Sequence, residues 1–183
     1  MKHSFGALML FTCLYAVTAC NNNPQKPQVT DPTMPVVEHI DSSAKKAEKN
    51  KATALASMEA FNGHNVDVIL KDVAADVTDY GDGSGMVVKS KDTIKAMMSQ
   101  YFKAFPDAKG ENFSAMADGN KVAVFGTWSG KFTNEFMGMK PTGKSFKYDD
   151  VDIFTFNDGG QITSHRNVQS SKVMWMQLGV NMK

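Results

Sequence analysis

At Pro106 the chain stops repeating its apolar residues with the period of a helix and begins repeating them with the period of a strand. That switch constrains the fold more than any other feature. Just before it, Ile94, Met97, Met98, Tyr101, Phe102 and Phe105 fall at i, i+3, i+4, i+7, i+8 and i+11, one face of a helix over residues 92–105. Ser90 or Asp92 is placed to cap its start, and Pro106 ends it. Ala47, Ala54, Leu55, Met58 and Phe61 give an earlier helix the same spacing, closed at Gly63 or Asn65. A short helix over 66–71, a strand over 73–80, a glycine-rich loop over 81–85 and a brief strand over 86–89 lie between the two. After Pro106 come strands over 109–117, 121–133, Ser145–Phe156 and 161–169, parted by turn residues at 118–120, 134–143 and 157–160, with a short apolar tail over 173–178. Helices followed by a meander of strands predict an α+β fold: a cone-shaped, curved antiparallel sheet with helices packed on its concave face.

The N-terminus reads as an address. Lys2 precedes an apolar stretch over 5–17 that is too short for a stable transmembrane helix. It closes on Val17-Thr18-Ala19-Cys20, which resembles the bacterial lipoprotein processing box. The resemblance implies that residues 1–19 are removed, that Cys20 is lipidated, and that the chain is a membrane-anchored lipoprotein of the cell envelope. An ordinary signal peptide cut near Ala19, with Cys20 incidental, is the alternative. Residues 20–41 hold Pro24, Pro27, Pro32 and Pro35 among Asn, Gln and Thr, a composition that reads as a flexible tether. The folded domain is then 42–183. The chain's two cysteines are Cys13 and Cys20. With the first removed and the second acylated, no thiol remains for a disulfide or a metal. Twenty Lys and Arg against nineteen Asp and Glu, with no basic stripe, argue against nucleic acid as a partner.

Several segments in order carry a resemblance over roughly residues 45–180. They are Phe105-Pro106-Asp107, the run from Gly138 through Pro141 to Lys144, Asp152-Ile153-Phe154-Thr155-Phe156, an Asp158-Gly159 turn, Ile162, and the closing Gln177-Leu178-Gly179. Together they resemble the SnoaL-like polyketide cyclase or ester cyclase branch of the nuclear transport factor 2-like superfamily. The resemblance implies a cone with a pocket at its open end. It also implies acid–base chemistry on small, often cyclic, apolar substrates without metal or cofactor, and pairing of domains sheet to sheet as homodimers. The same fold serves many non-enzymes.

The residues themselves point to the last hairpin. Along Ser145–Phe156 one face carries Phe146, Tyr148, Asp150, Asp152, Phe154 and Phe156, so four aromatics share a face with two carboxylates. A two- or four-residue turn sets Phe154 opposite Thr163, Asp152 opposite His165 and Asp150 opposite Asn167. A bulge or a three-residue loop would break that register. In a partly dry pocket a carboxylate beside an imidazole orients the ring, and a carboxylate among aromatics serves as an acid. Asp152, His165 and Asp150 are therefore the catalytic candidates, with Asn167, Phe154, Tyr148, Trp128 and Tyr80 around a ligand. The same pair also reads as a structural cross-strand contact.

Arg166, the chain's single arginine, falls by alternation on the face opposite His165, with Ile162 and Val168. It reads either as a solvated residue or as an anion anchor at a bulge. Trp128 reads as core or pocket wall, and Asp79 as a turn residue. Met137 and Met139 are placed to line an entrance. His39 and His64 have no partner at metal-ligand spacing, so no metal is expected; that no cofactor is needed is what the resemblance implies. The expected role is binding of a small apolar or aromatic molecule, with or without turnover. The alternative is a docking module that uses the outer sheet face.

Overall fold

The computed structural model describes the backbone of residues 36–181 and the side chains of 42–181. The segment read as a signal peptide, Cys20, and the segment read as a tether up to residue 35 lie outside the described residues. In chain order the elements are α1 (Val36–Ala60), a 3-10 turn (Phe61–Gly63), α2 (Val66–Ile69), β1 (Val73–Asp79), β2 (Val88–Lys89), α3 (Lys91–Ala104), β3 (Lys109–Asp118), β4 (Lys121–Lys131), β5 (Ser145–Phe156), β6 (Ile162–Asn167) and α4 (Lys172–Gln177). The six strands form one curved, unclosed sheet in the order β2-β1-β6-β5-β4-β3. The α+β class stands, and two caps explain local helix starts. Asn65 accepts from the Asp67 and Val68 N–H groups at α2, and Ser90 accepts from Thr93 N–H at α3.

α1 packs on β3 and β4, and α3 on β1. The core between them and the sheet holds Met58, Val77, Phe102, Val124, Phe154 and Ile162. A second cluster joins the end of α3 to α4 through Phe105, Phe132, Phe146, Trp175 and Leu178. Its rings stack and tilt, with Phe105 5.1 Å from Phe132 and 5.7 Å from Phe146. The apolar tail read over 173–178 thus falls largely in the helix α4, whose buried side is Met174 and Trp175.

Three expectations need correction. α1 begins at Val36, inside the segment read as tether, so the helix whose period the sequence shows from Ala47 onward extends back to the residue after that segment's last proline. The sheet is not wholly antiparallel: β1 and β6 run parallel, with Asp79 beside His165. The long route through α3 and four further strands lets the chain return in the same direction, as parallel pairing requires. The β5–β6 register also differs, and by two residues. Asp152 pairs with Asn167, and Phe154 with His165.

The register has two separate causes. Asn157 N–H donates to Gln161 O (3.0 Å), which leaves a three-residue loop with Gly160 at φ 81, the left-handed position that closes such a turn. That loop shifts the pairing by one. The partners then jump from Phe156 with Ile162 to Thr155 with Ser164, a bulge at Thr163 that shifts it by one more. A single slip would have turned every side chain to the other face; two slips restore it. The bulge also places Ile162 on the cavity side with His165, correcting its assignment to the Arg166 face.

Candidate functional site

The alternation along β5 builds the floor of the site. Phe146, Asp150, Asp152, Phe154 and Phe156 are buried, whereas Ser145, Lys147 and Asp149 are exposed. Between this face and the helices lies a cavity of about 340 Å³, walled by Met58, Phe61, Met97, Met98, Leu70 and Tyr101. Of the residues expected from sequence, Asp152, His165, Asn167, Phe154, Tyr148 and Trp128 all line it.

The polar end of the cavity is a chain of hydrogen bonds centred on His165. Its Nε2–H donates to Asp152 Oδ1 at 2.9 Å, and its Nδ1–H to Asp79 Oδ1 at 3.1 Å. A neutral imidazole carries one N–H, so two carboxylate acceptors call for the charged ring. Burial opposes that charge, but the hydrogen bonds and charges of Asp152 and Asp79 outweigh it and push the His165 pKa up to about 10. For Asp79 burial again works upward, yet His165 and the Gly81 N–H (2.8 Å) hold its carboxyl below the usual range. The Phe154 ring lies 5.0 Å from the imidazole and tilted by 32°, closing its apolar side.

Asn167 ties the two β5 acids together, donating from Nδ2 to Asp152 Oδ1 (2.8 Å) and Asp150 Oδ2 (3.1 Å). Asp152 Oδ1 thus serves two donors, while Oδ2 is buried with no hydrogen-bond partner. Trp128 Nε1 is likewise buried and unpaired. Burial keeps the phenols of Tyr101 and Tyr148 protonated far above neutral pH, with Asp150 and Asp152 adding to the effect at Tyr148. The cavity therefore offers phenolic donors along an apolar wall and a carboxylate at its polar end.

Some candidates are placed elsewhere. Asp150 does not line the cavity: its Oδ1 accepts from the Gln169 and Val151 N–H groups, both at 2.7 Å, so it braces Asn167 and the end of β6. Burial, with Asp152 adding, raises its pKa. Tyr80 is 47% exposed on the outer side of the sheet, because Asp79 points in and the next residue of a strand points out. Met137 is 60% exposed and Met139 packs on the second core cluster, so neither lines the cavity.

Asp79 is the residue that sequence reading passed over. Its bond to Gly81 is the turn contact that its position at a strand end suggests. Its bond to His165, 86 residues away, depends on the parallel β1–β6 pair, which no local pattern encodes. Among the described residues no group of three His, Cys, Asp or Glu side chains is arranged to hold a metal ion.

Comparison with known proteins places the family and the fold. The profile of the SnoaL-like polyketide cyclase family matches residues 51–177. AclR of Streptomyces galilaeus, a candidate hydroxylase, is 31% identical, with a TM-score of 0.61 over 73% of this chain and 82% of its own. IdmH of Streptomyces antibioticus, a candidate polyketide cyclase, is 24% identical, with a TM-score of 0.59 over 72% of this chain and 99% of its own. A candidate polyketide cyclase of Xanthomonas campestris, at 18% identity, superposes with a TM-score of 0.66 over 73% of this chain and 98% of its own. The last two likenesses are of fold alone. No curated protein matches the chain.

Proposed function

The chain belongs to the SnoaL-like polyketide cyclase family, and on that footing we propose that its cavity takes a small, apolar, ring-containing molecule and moves a proton on it by cofactor-free acid–base chemistry. The observation that carries this reading is the Asp79–His165–Asp152 chain at the polar end of an otherwise apolar cavity. In it the base is Asp152. His165, doubly protonated, cannot accept a proton; it fixes the Asp152 carboxylate, as Asn167 does. Asp150 supports Asn167 and is a positioning residue. Tyr101 or Tyr148, both protonated, donate to a substrate carbonyl whose neighbouring carbon gives up its proton to Asp152. A bicyclic aromatic ketone such as 2-tetralone tests the reading. Quenching of Trp128 fluorescence reports binding, and exchange of the proton beside the carbonyl in D2O reports the chemistry. Binding with exchange supports the acid–base reading; binding without exchange leaves a ligand-binding protein; the absence of both binding and exchange would sink both readings.

The lipid anchor is part of the same proposal and rests on Val17-Thr18-Ala19-Cys20. Acylated at Cys20, the domain sits at the cell envelope, where a membrane supplies apolar ligands. Expression with labelled palmitate is expected to label the chain and hold it in the membrane fraction. Cys20→Ser should abolish both; label retained in that variant would count against the anchor.

A second reading concerns the outer sheet face. Met116 (65% exposed) on β3, Phe125 (38%) on β4 and Val168 (56%) just past the end of β6 lie there, with Val151 of β5 between the last two. Such a patch suits a second copy of the chain. Light scattering is expected to give a dimer that Phe125→Asp turns into a monomer; a monomer from the unaltered chain would end this reading.

A further inference from the structure

The outer face also carries a feature unrelated to the cavity. Lys121 pairs with Thr155 and Thr155 with Ser164, while Ile153 pairs with Arg166 one step along. Alternation turns this set outward, because Val122, Phe154 and His165 between them point in. The result is a depression of about 500 Å³ with Lys121 and Arg166 in its wall, the side chains of Thr155, Ser164 and Tyr80 beside them, and the Gly83 backbone passing over.

Two properties suit it to an anion. Among the described residues, ion pairs join five lysines and His165 to acids, but neither Arg166 nor Lys121 takes part in one. Two cations lining one hollow repel each other, and among the described residues neither is neutralised by an ion pair. The glycine-rich loop leaves the guanidinium uncovered. A Cβ at Gly83 would lie 3.7 Å from Arg166 Nη2, so a longer side chain there would crowd the group, and the positive φ of 76° suits glycine.

We infer that this depression is a second ligand site, distinct from the cavity, for the phosphate group of a small phosphorylated molecule. The Arg166 fork presents paired donors to two phosphate oxygens, Lys121 adds a second positive charge, and the Thr155, Ser164 and Tyr80 hydroxyls donate to the remaining oxygens. The loop contributes its lack of side chains rather than a phosphate-binding helix start. The strand that presents Arg166 outward presents His165 and Asn167 inward, so the two sites share β6 but no side chain.

The test uses the full chain and inorganic phosphate. Thermal unfolding in phosphate is compared with chloride at matched ionic strength, and phosphate is titrated calorimetrically. Phosphate is expected to raise the midpoint, and Arg166→Gln to weaken binding about tenfold, the loss of a charged hydrogen-bonded pair. Lys121→Gln should weaken it less. Both residues are exposed, so unchanged unfolding of the variants in chloride confirms that they fold. Equal midpoints in phosphate and chloride would overturn the proposal, as would an equal phosphate response in the Arg166→Gln, Lys121→Gln double variant. An Arg166→Gln variant that alters the oligomeric state without altering phosphate binding would assign the arginine to contact with a second copy instead.

Discussion

Replacing His165 with glutamine is expected to lower stability at neutral pH by about 3–5 kcal/mol, the usual effect of removing one partner from a buried ion pair. The imidazolium stands between Asp79 and Asp152, whose side chains are only 25% and 5% exposed. Without it, two largely buried carboxylates face each other, and glutamine supplies a dipole where a cation stood. The pH dependence carries the sharper signature. The His165 pKa rises from 6.5 to about 10 on folding, so its stabilisation is complete below about pH 6.5 and is lost as pH rises through about 10. Asp79 is shifted down, so its contribution is present above its ordinary 3.8 and is lost as pH falls through the lowered value. Urea unfolding between pH 5 and pH 10 should therefore show an alkaline decline in the unaltered protein, and His165→Gln should flatten it. An identical alkaline limb in both proteins would mean that the ring is not charged in the folded state.

The second large effect is on chemistry. Asp152→Asn is expected to slow ketone proton exchange by about 10²–10⁴-fold, the range for loss of a general base. The substitution is close to isosteric. An amide oxygen still accepts from His165 Nε2–H and Asn167 Nδ2–H, and Asp79 still pairs with the imidazolium, so the fold and ketone binding should persist at lowered stability while exchange fails. That split between binding and rate separates a base from a structural acid. Full exchange in Asp152→Asn would place the base elsewhere and return the acid–histidine pair to a structural role. Asp150→Asn provides the contrast: it braces β6 through the Gln169 N–H and Asn167, away from the cavity.

The sequence was most informative where a period runs uninterrupted. The face of α3 and the alternation of β5 were legible because each is set by local geometry: 3.6 residues per turn in one, two per repeat in the other. Phe154, Tyr148 and Asp152 could be assigned to the cavity side from that alone. The contact between Asp152 and His165 was also legible, although the pairing inferred for it was two residues off. It survived because the three-residue loop and the bulge at Thr163 together make an even shift, which preserves the face. His165 then reaches Asp152 diagonally, with Phe154 as its direct neighbour.

Other features had no local signature. Asp79 becomes a partner of His165 only because β1 lies parallel to β6, and that depends on how the sheet closes over a long connection. Tyr80 could have been turned outward by the alternation that points Asp79 inward, had the inward face of β1 been known. The sequence by itself determined the α+β class, the helix and strand that wall the cavity, and the chemical types gathered at its floor, since these follow from spacing and from burial of apolar side chains. Only the tertiary structure decided which acid holds the other side of His165, that its ring is charged, and that Arg166 faces an open hollow. Those outcomes depend on which strands become neighbours, and strand pairing is fixed by packing of the whole sheet against its helices.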